Sequence, residues 1–454
     1  MEEKQSIHGA WASRWIFILA ATGSAVGLGN IWKFPYITGE NGGGAFVLVY
    51  LLCILVVGVP IMMAEVLIGR HARKSPINAM HDVAISSGKS GLWSMVGWMG
   101  VLAGFFILSF YSVVAGWVLH YIAGMGVGDY AAISSDDAGK AFEGLLSNPQ
   151  TLLIWHSVFI VMVMLVIAGG VEKGLENAVK FLMPALFVLL LVMLAYASQT
   201  SGFHAGWDFL FHFDPSQLSW ESILVAMGHA FFTLSLGMGA IMAYGSYMPK
   251  KTAIGTAVIT IALMDTVVAL VAGLVIFPIV FTNGMDPGAG PGLMFVTLPV
   301  AFGQMPSGQI FGFVFFLLVG IAAWTSAISL LEPAAAWLVE KFGWHRIPAC
   351  IVLGLIIWSI GIAALGSFNV IADVKLFGFT VFDFLDFITA NIMLPLGGLF
   401  IALFTGWMVK RQISEDELAF SANAWYRAWY ITIRYITPVA VAIIFVFNLL
   451  DTLK

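Results

Sequence analysis

The chain has 454 residues, 60% of them hydrophobic and only 10% charged, with a net charge of −5. A soluble domain carries about 25% charged residues, so this composition excludes a string of soluble domains. The charge is also too thinly spread for a nucleic-acid partner or a polybasic tail.

A membrane-spanning helix needs ~20 mostly apolar residues, and about eleven such segments recur along the chain. They lie near 12–38, 43–69, 91–124, 152–170, 175–198, 221–247, 253–281, 308–340, 347–367, 381–408 and 432–450. The expected fold is an all-α polytopic membrane protein in which residues 1–454 form one transmembrane domain. The run after Trp15 lacks a small-residue cleavage pattern, so no cleaved leader is expected. The two cysteines, Cys53 and Cys350, sit in apolar runs and read as small packing residues.

Lysine and arginine orient the spans. With the N-terminus in the cytoplasm, the inner loops and helix ends hold Lys4, Arg14, Arg70, Arg73, Lys74, Lys89, Lys173, Lys180, Lys250, Lys251, Lys341, Arg346, Lys410, Arg411, Arg427 and Arg434. The outer side holds only Lys140, Lys375 and Lys454. The expectation is a multi-pass protein of the plasma (inner) membrane, surrounded by lipid, with its N-terminus inside and its C-terminus outside. Three longer outer loops, 125–150, 199–220 and 282–307, are rich in Gly, Pro, Asp and Ser and should carry short helices. The last contains Pro287, Pro291, Pro299 and Pro306, enough to structure a cap.

Span 1 contains Gly23-Ser24-Ala25-Val26-Gly27-Leu28-Gly29-Asn30, and span 6 contains Ser235-Leu236-Gly237-Met238-Gly239. Each glycine weakens a helix by ~1 kcal/mol relative to alanine. Backbone groups freed at a break cannot face lipid and must meet protein, water or a ligand. Spans 1 and 6 each open a five-helix half, and interruptions at matching positions mark the binding site of an inverted-repeat transporter. The repeats would cover about 12–198 and about 220–408, with an extra helix at about 432–450. A single glycine cluster would more simply allow close helix packing. Two clusters in register, beside Ser24, Asn30, Thr233 and Ser235, favour a site.

The stretch GSAVGLGNIWKFPYITGENGGGAF in span 1 resembles the neurotransmitter:sodium symporter family, which has the LeuT-type fold. So do HAFFTLSLGMGA in span 6 and AAWTSAISLLEP in span 8. The likeness is greatest to bacterial members that carry hydrophobic amino acids.

The resemblance implies a sodium-coupled symporter with two sodium sites. One would use Gly23, Val26, Ala322, Thr325 and Ser326, and the other Ala25, Asn30, Thr233 and Asp265. Without the resemblance, Thr325 and Ser326 would be expected to bond back to their own helix. Much of the family has asparagine where this chain has Asp265. Many members bind chloride in the neighbourhood that here holds Tyr50, His229, Thr233, Asp265 and Ala269. A fixed carboxylate there implies chloride-independent transport.

Substrate class follows from Gly27, where the family's monoamine carriers have aspartate. The missing side chain leaves room for a substrate carboxylate beside the first sodium, which implies an amino acid. The resemblance puts Ser24, Ala25, Leu28, Gly29, Ile107, Tyr111, Phe231, Phe232, Thr233, Ser235, Met238, Ala327 and Leu330 around it. The pocket has no charge, and Met238 is adaptable, so a neutral aliphatic or aromatic side chain fits.

Lys33 and Asp386 would pair as an outer gate, as a point charge and not a bidentate fork. At the inner side Trp11 matches the family, and His8 stands where arginine is usual, facing Glu340. Gly174 and Pro184 would let the inner end of span 5 unwind and admit water. Glu65 reads as a scaffold residue bonding the span-6 break.

Other function classes lack their signatures. There is no Walker motif for ATP, no HExxH or nucleophile constellation for an enzyme, and no continuous polar stripe for a channel.

Overall fold

The computed structural model describes residues 7–288, 290, 292–418 and 424–452. Lys4, Pro291 and Lys454 lie outside them. Apart from one isolated bridge between Leu376 and Phe379, the described residues form helices and turns.

Among the described residues, nine continuous apolar helices are long enough to cross a bilayer. They are Gly44–Ala72, Gly91–Val127, Pro149–Ala168, Val171–Ala197, Ile254–Thr282, Gly308–Phe342, Arg346–Gly366, Val381–Met408 and Ala424–Phe447, which are spans 2–5 and 7–11. Span 1 is a pair, Arg14–Ala25 (1a) and Gly29–Glu40 (1b), bent by 51°. Span 6 is also split, into Trp220–Thr233 (6a) and Ala240–Ser246 (6b). The expected all-α polytopic fold with broken helices 1 and 6 is therefore present.

Span 11 starts at Ala424, not near 432. The segment Ala424–Ile431 carries Arg427 among aromatics and reads as interfacial, yet a π-helical turn at Thr432–Ile436 carries the helix through. The three loops expected on the outer side hold the helices Ser135–Leu146, Phe203–Phe211 and Leu293–Gln304.

Burial sorts the spans. In its most apolar window span 3 is 83% buried, against 28% for span 5. Span 3 runs along span 8 through the centre, and span 1a packs against spans 5, 7 and 8. Phe181 and Leu165 on the peripheral spans 5 and 4 are exposed, as lipid contact requires. Small residues bring the central helices close. A Cβ on Gly100 would stand 2.9 Å from the Gly237 carbonyl oxygen, and one on Gly104 would stand 3.1 Å from the Leu330 carbonyl oxygen.

On the basic face, the short helix Arg411–Leu418 is strapped to span 2. Arg70 donates from Nε to Glu417 Oε2 at 2.6 Å and from Nη1 to the Thr252 carbonyl at 2.5 Å. His71 Nδ1 lies 3.2 Å from Glu417 Oε1. Burial pushes the Glu417 carboxyl up, but the His71 hydrogen bond and the Arg70 charge outweigh it and hold it below the usual carboxylate range.

Candidate functional site between two helix breaks

In span 1 the break opens at Val26, which is extended at ψ 108° while its N–H still donates to Thr22 O at 2.7 Å. A π-helical turn at Gly29–Lys33 restarts the helix. In span 6 the break covers residues 234–239 and contains Ser235, Gly237 and Gly239 at φ of 53°, 77° and 75°. A left-handed residue other than glycine costs roughly 1–2 kcal/mol. Glycine removes that cost at two of the three positions, and Ser235 bears it. Glu65 holds the break from span 2, accepting a bond from Gly237 N at Oε1 over 2.8 Å.

Ser24 joins the two breaks. Its carbonyl accepts from Ser235 Oγ at 2.9 Å and from Ser326 Oγ at 3.0 Å, and its own hydroxyl donates to Ser329 Oγ at 2.7 Å. Ser329 has no place in the sequence reading. Its spacing from Ser326, one helical turn, is the signal that could have found it.

A first polar cluster joins spans 1, 6 and 7. Asn30 Nδ2 donates to Thr233 Oγ1 at 3.0 Å and to Asp265 Oδ1 at 2.7 Å. Thr233 donates to Asp265 Oδ2 at 3.0 Å, and Asn30 Oδ1 accepts from Gly27 N at 3.1 Å. All three side chains are buried. Beside them, the Tyr50 hydroxyl and both ring nitrogens of His229 have no hydrogen-bond partner among the described residues, and their rings lie 5.4 Å apart.

A second cluster joins spans 1, 8 and 5. A Cβ on Gly23 would stand 3.3 Å from Thr325 Cβ and 2.8 Å from Met183 Sδ. Thr325 bonds back to its own helix, at 3.1 Å to Ala322 O, while Ser326 reaches across to span 1. Gly174 lies in the π-helical turn Val171–Leu175, and the following helix runs unbroken through Pro184.

Both clusters offer hydroxyls and carbonyls, and the first adds the Asp265 carboxylate. Among the described residues no group of three His, Cys, Asp or Glu could hold a metal. Such donors suit a hard cation and not a transition metal.

Between the clusters lies Gly27. A Cβ there would stand 2.9 Å from Ser326 Oγ and 3.1 Å from Tyr111 Oη. Tyr111 Oη also accepts from Leu28 N at 3.3 Å. A cavity is lined by Leu28, Lys33, Tyr111, Phe232 and Asp386, together with Trp32, Phe110 and Phe382. Ala25, Ile107, Met238, Ala327 and Leu330 are buried, and none of them lines this cavity. Gly29 meets the Phe232 ring, 3.2 Å from where its Cβ would be. The Phe231 ring is turned away, against Gly398 of span 10.

The outer gate differs from the sequence reading. Lys33 does not reach ion-pair distance of Asp386. Its Nζ sits over the Phe232 ring, 4.7 Å from the centroid, where the ring face attracts the cation. His8 does face Glu340, with Nε2 3.0 Å from Oε1 and both side chains buried. Trp11 donates from Nε1 to Tyr244 O at 3.0 Å, and its backbone N–H bonds Tyr247 O. Glu332, also missed, accepts from Tyr247 Oη at 2.7 Å and pairs with Arg346. An ionisable residue within a span is a functional signal by itself, and could have found it.

Two broken helices whose freed backbone faces buried oxygen donors at the centre of a helical bundle define a secondary transporter. The chain belongs to the Sodium:neurotransmitter symporter family, whose profile matches residues 8–125 and 144–453. It is 39% identical over 459 residues to the "Uncharacterized sodium-dependent transporter YhdH" of Bacillus subtilis (strain 168), covering 100% of both chains. A second uncharacterized sodium-dependent transporter, from Haemophilus influenzae, is 34% identical over 447 residues, 97% of this chain and 98% of the relative. The crystal structure of MhsT in complex with L-phenylalanine matches with a TM-score of 0.89 at 45% identity, covering 96% of this chain and 99% of MhsT. The protein is thus a sodium-dependent membrane transporter of the LeuT-type fold, and not an enzyme.

Proposed function

We propose that this protein imports neutral hydrophobic L-amino acids, aliphatic and aromatic, together with sodium, by alternating access and without chloride. The observation that carries this reading is Gly27, side-chain-free between Tyr111 and Ser326 at the meeting of the two breaks. A side chain at Gly27 would run into Ser326 and Tyr111; without one, the substrate carboxylate is assigned beside Gly27, with Tyr111 Oη as its hydrogen-bond donor. The freed carbonyls of spans 1 and 6 accept from the substrate amine. Phe232, Ile107, Met238 and Leu330 give the side chain an uncharged apolar surround, which favours large hydrophobic substrates.

Sodium travels as co-substrate. The Asn30–Thr233–Asp265 cluster with Ala25 is assigned to one ion, beside the carboxylate. Gly23, Val26, Ala322, Thr325 and Ser326 are assigned to the other. Asp265 supplies a fixed negative charge, so chloride is not needed. The described conformation has its inner side held by His8–Glu340 and Trp11. The N-terminus is assigned to the cytoplasm on the lysine and arginine bias.

Uptake into proteoliposomes tests this. An inward sodium gradient should drive leucine and phenylalanine accumulation, unchanged when gluconate replaces chloride. Equal uptake under a potassium gradient would overturn the coupling, and a sharp fall in gluconate would overturn chloride independence. Competition by glycine or alanine far stronger than by leucine or tryptophan would refute the broad apolar pocket.

A further inference from the structure

A groove on the basic face lies between the start of span 3 and span 10, lined by Ser90, Leu92, Trp93, Met95, Met99 and Phe400. Leu92 and Met95 are 72% and 67% exposed, so its wall is open to the surroundings and apolar. From Leu92 to Met99 the helix rises about 10 Å, which takes the groove from the membrane surface down among the acyl chains. Its polar end is at Ser90, next to Lys89. The Lys410 backbone N–H donates to Ser87 Oγ at 3.2 Å, which brings a second lysine from the end of span 10 to the same place. Both lysines are exposed, and neither forms an ion pair among the described residues. Trp93, packed 5.0 Å from the Phe404 ring, is a residue type that settles at the headgroup level.

An apolar channel topped by two cations fits a molecule with a hydrocarbon tail and a negative head. We propose that the groove binds an anionic phospholipid, its acyl chain along Leu92–Met99 and its phosphate between Lys89 and Lys410. A zwitterionic lipid fills the groove less well, because its own ammonium group opposes the two lysines. One lysine near an anionic headgroup is worth about fivefold in affinity.

Photo-crosslinking tests this on the full chain in phosphatidylcholine vesicles. Trace phosphatidylglycerol or phosphatidylcholine carries a diazirine in its acyl chain, and labelling of the peptide spanning residues 90–99 is measured by mass spectrometry. Phosphatidylglycerol should label this peptide at least about fivefold more than phosphatidylcholine, as one lysine's worth of attraction requires. K89Q/K410Q should bring the ratio to about one, and K89R/K410R should keep it, which separates lost charge from lost fold. Equal labelling by the two lipids in the wild type would mean that any bilayer lipid occupies the groove and would overturn the proposal. So would a preference that K89Q/K410Q retains.

Discussion

The two helix breaks look alike in sequence and are built differently. In span 1 none of Gly23, Gly27 and Gly29 has a positive φ. Each is small because something stands where its Cβ would be: Thr325 and Met183, then Ser326 and Tyr111, then Phe232. In span 6, Gly237 and Gly239 are left-handed, and the chain could not take that path with ordinary side chains at low cost. At the first break the constraint is space, and at the second it is shape. Substitutions in span 1 should therefore act on ligands, and those in span 6 on the fold.

The largest effect is expected at Gly237. Its φ is 77°, and a Cβ would stand 2.6 Å from the Leu394 carbonyl oxygen. Gly237→Ala should cost ~2–4 kcal/mol, combining strain and overlap. Thermal melting in detergent would show it, with transport lost alongside. Gly27→Ala, whose Cβ would stand 2.9 Å from Ser326 Cβ but at a negative φ, should lower the melting temperature less than Gly237→Ala and weaken substrate binding about ten- to hundredfold through misplacement at the site. If Gly27→Ala melted early while Gly237→Ala did not, the division between space and shape would be reversed.

Glu65→Gln comes next. It keeps an acceptor for Gly237 N but removes the charge from that bond, for about 1–2 kcal/mol. Its effect should appear in stability before substrate affinity. The smallest change is Ser24→Ala, which removes the donor to Ser329 but leaves the Ser24 carbonyl that joins the breaks. About 0.5–1.5 kcal/mol is expected, and a loss as large as that of Gly237→Ala would contradict the role given to the carbonyl.

The contrast also marks what was legible in the sequence. Glycines flagged where spans 1 and 6 open, because helix propensity is local. Which glycine needs a left-handed φ depends on the packed neighbours, so the two breaks read as one kind. Apolar length found the spans but placed the start of span 11 too late, since Arg427 and its aromatic neighbours resemble a loop until they are seen continuing through a π-helical turn. The Lys33–Asp386 pairing followed from the family resemblance and the opposite charges. The Phe232 ring competes for the same ammonium, and only the packing reveals that. Ser329 and Glu332 went unread because their partners, Ser24, Tyr247 and Arg346, are distant in sequence or lie on other helices.

Equilibrium binding of labelled L-phenylalanine or L-leucine to the purified protein, in sodium and then in potassium, tests the central claim most directly. The account predicts saturable binding in sodium, none in potassium, and strong weakening in Gly27→Ala. Binding of equal strength in both salts, or binding that Gly27→Ala leaves intact, would contradict it.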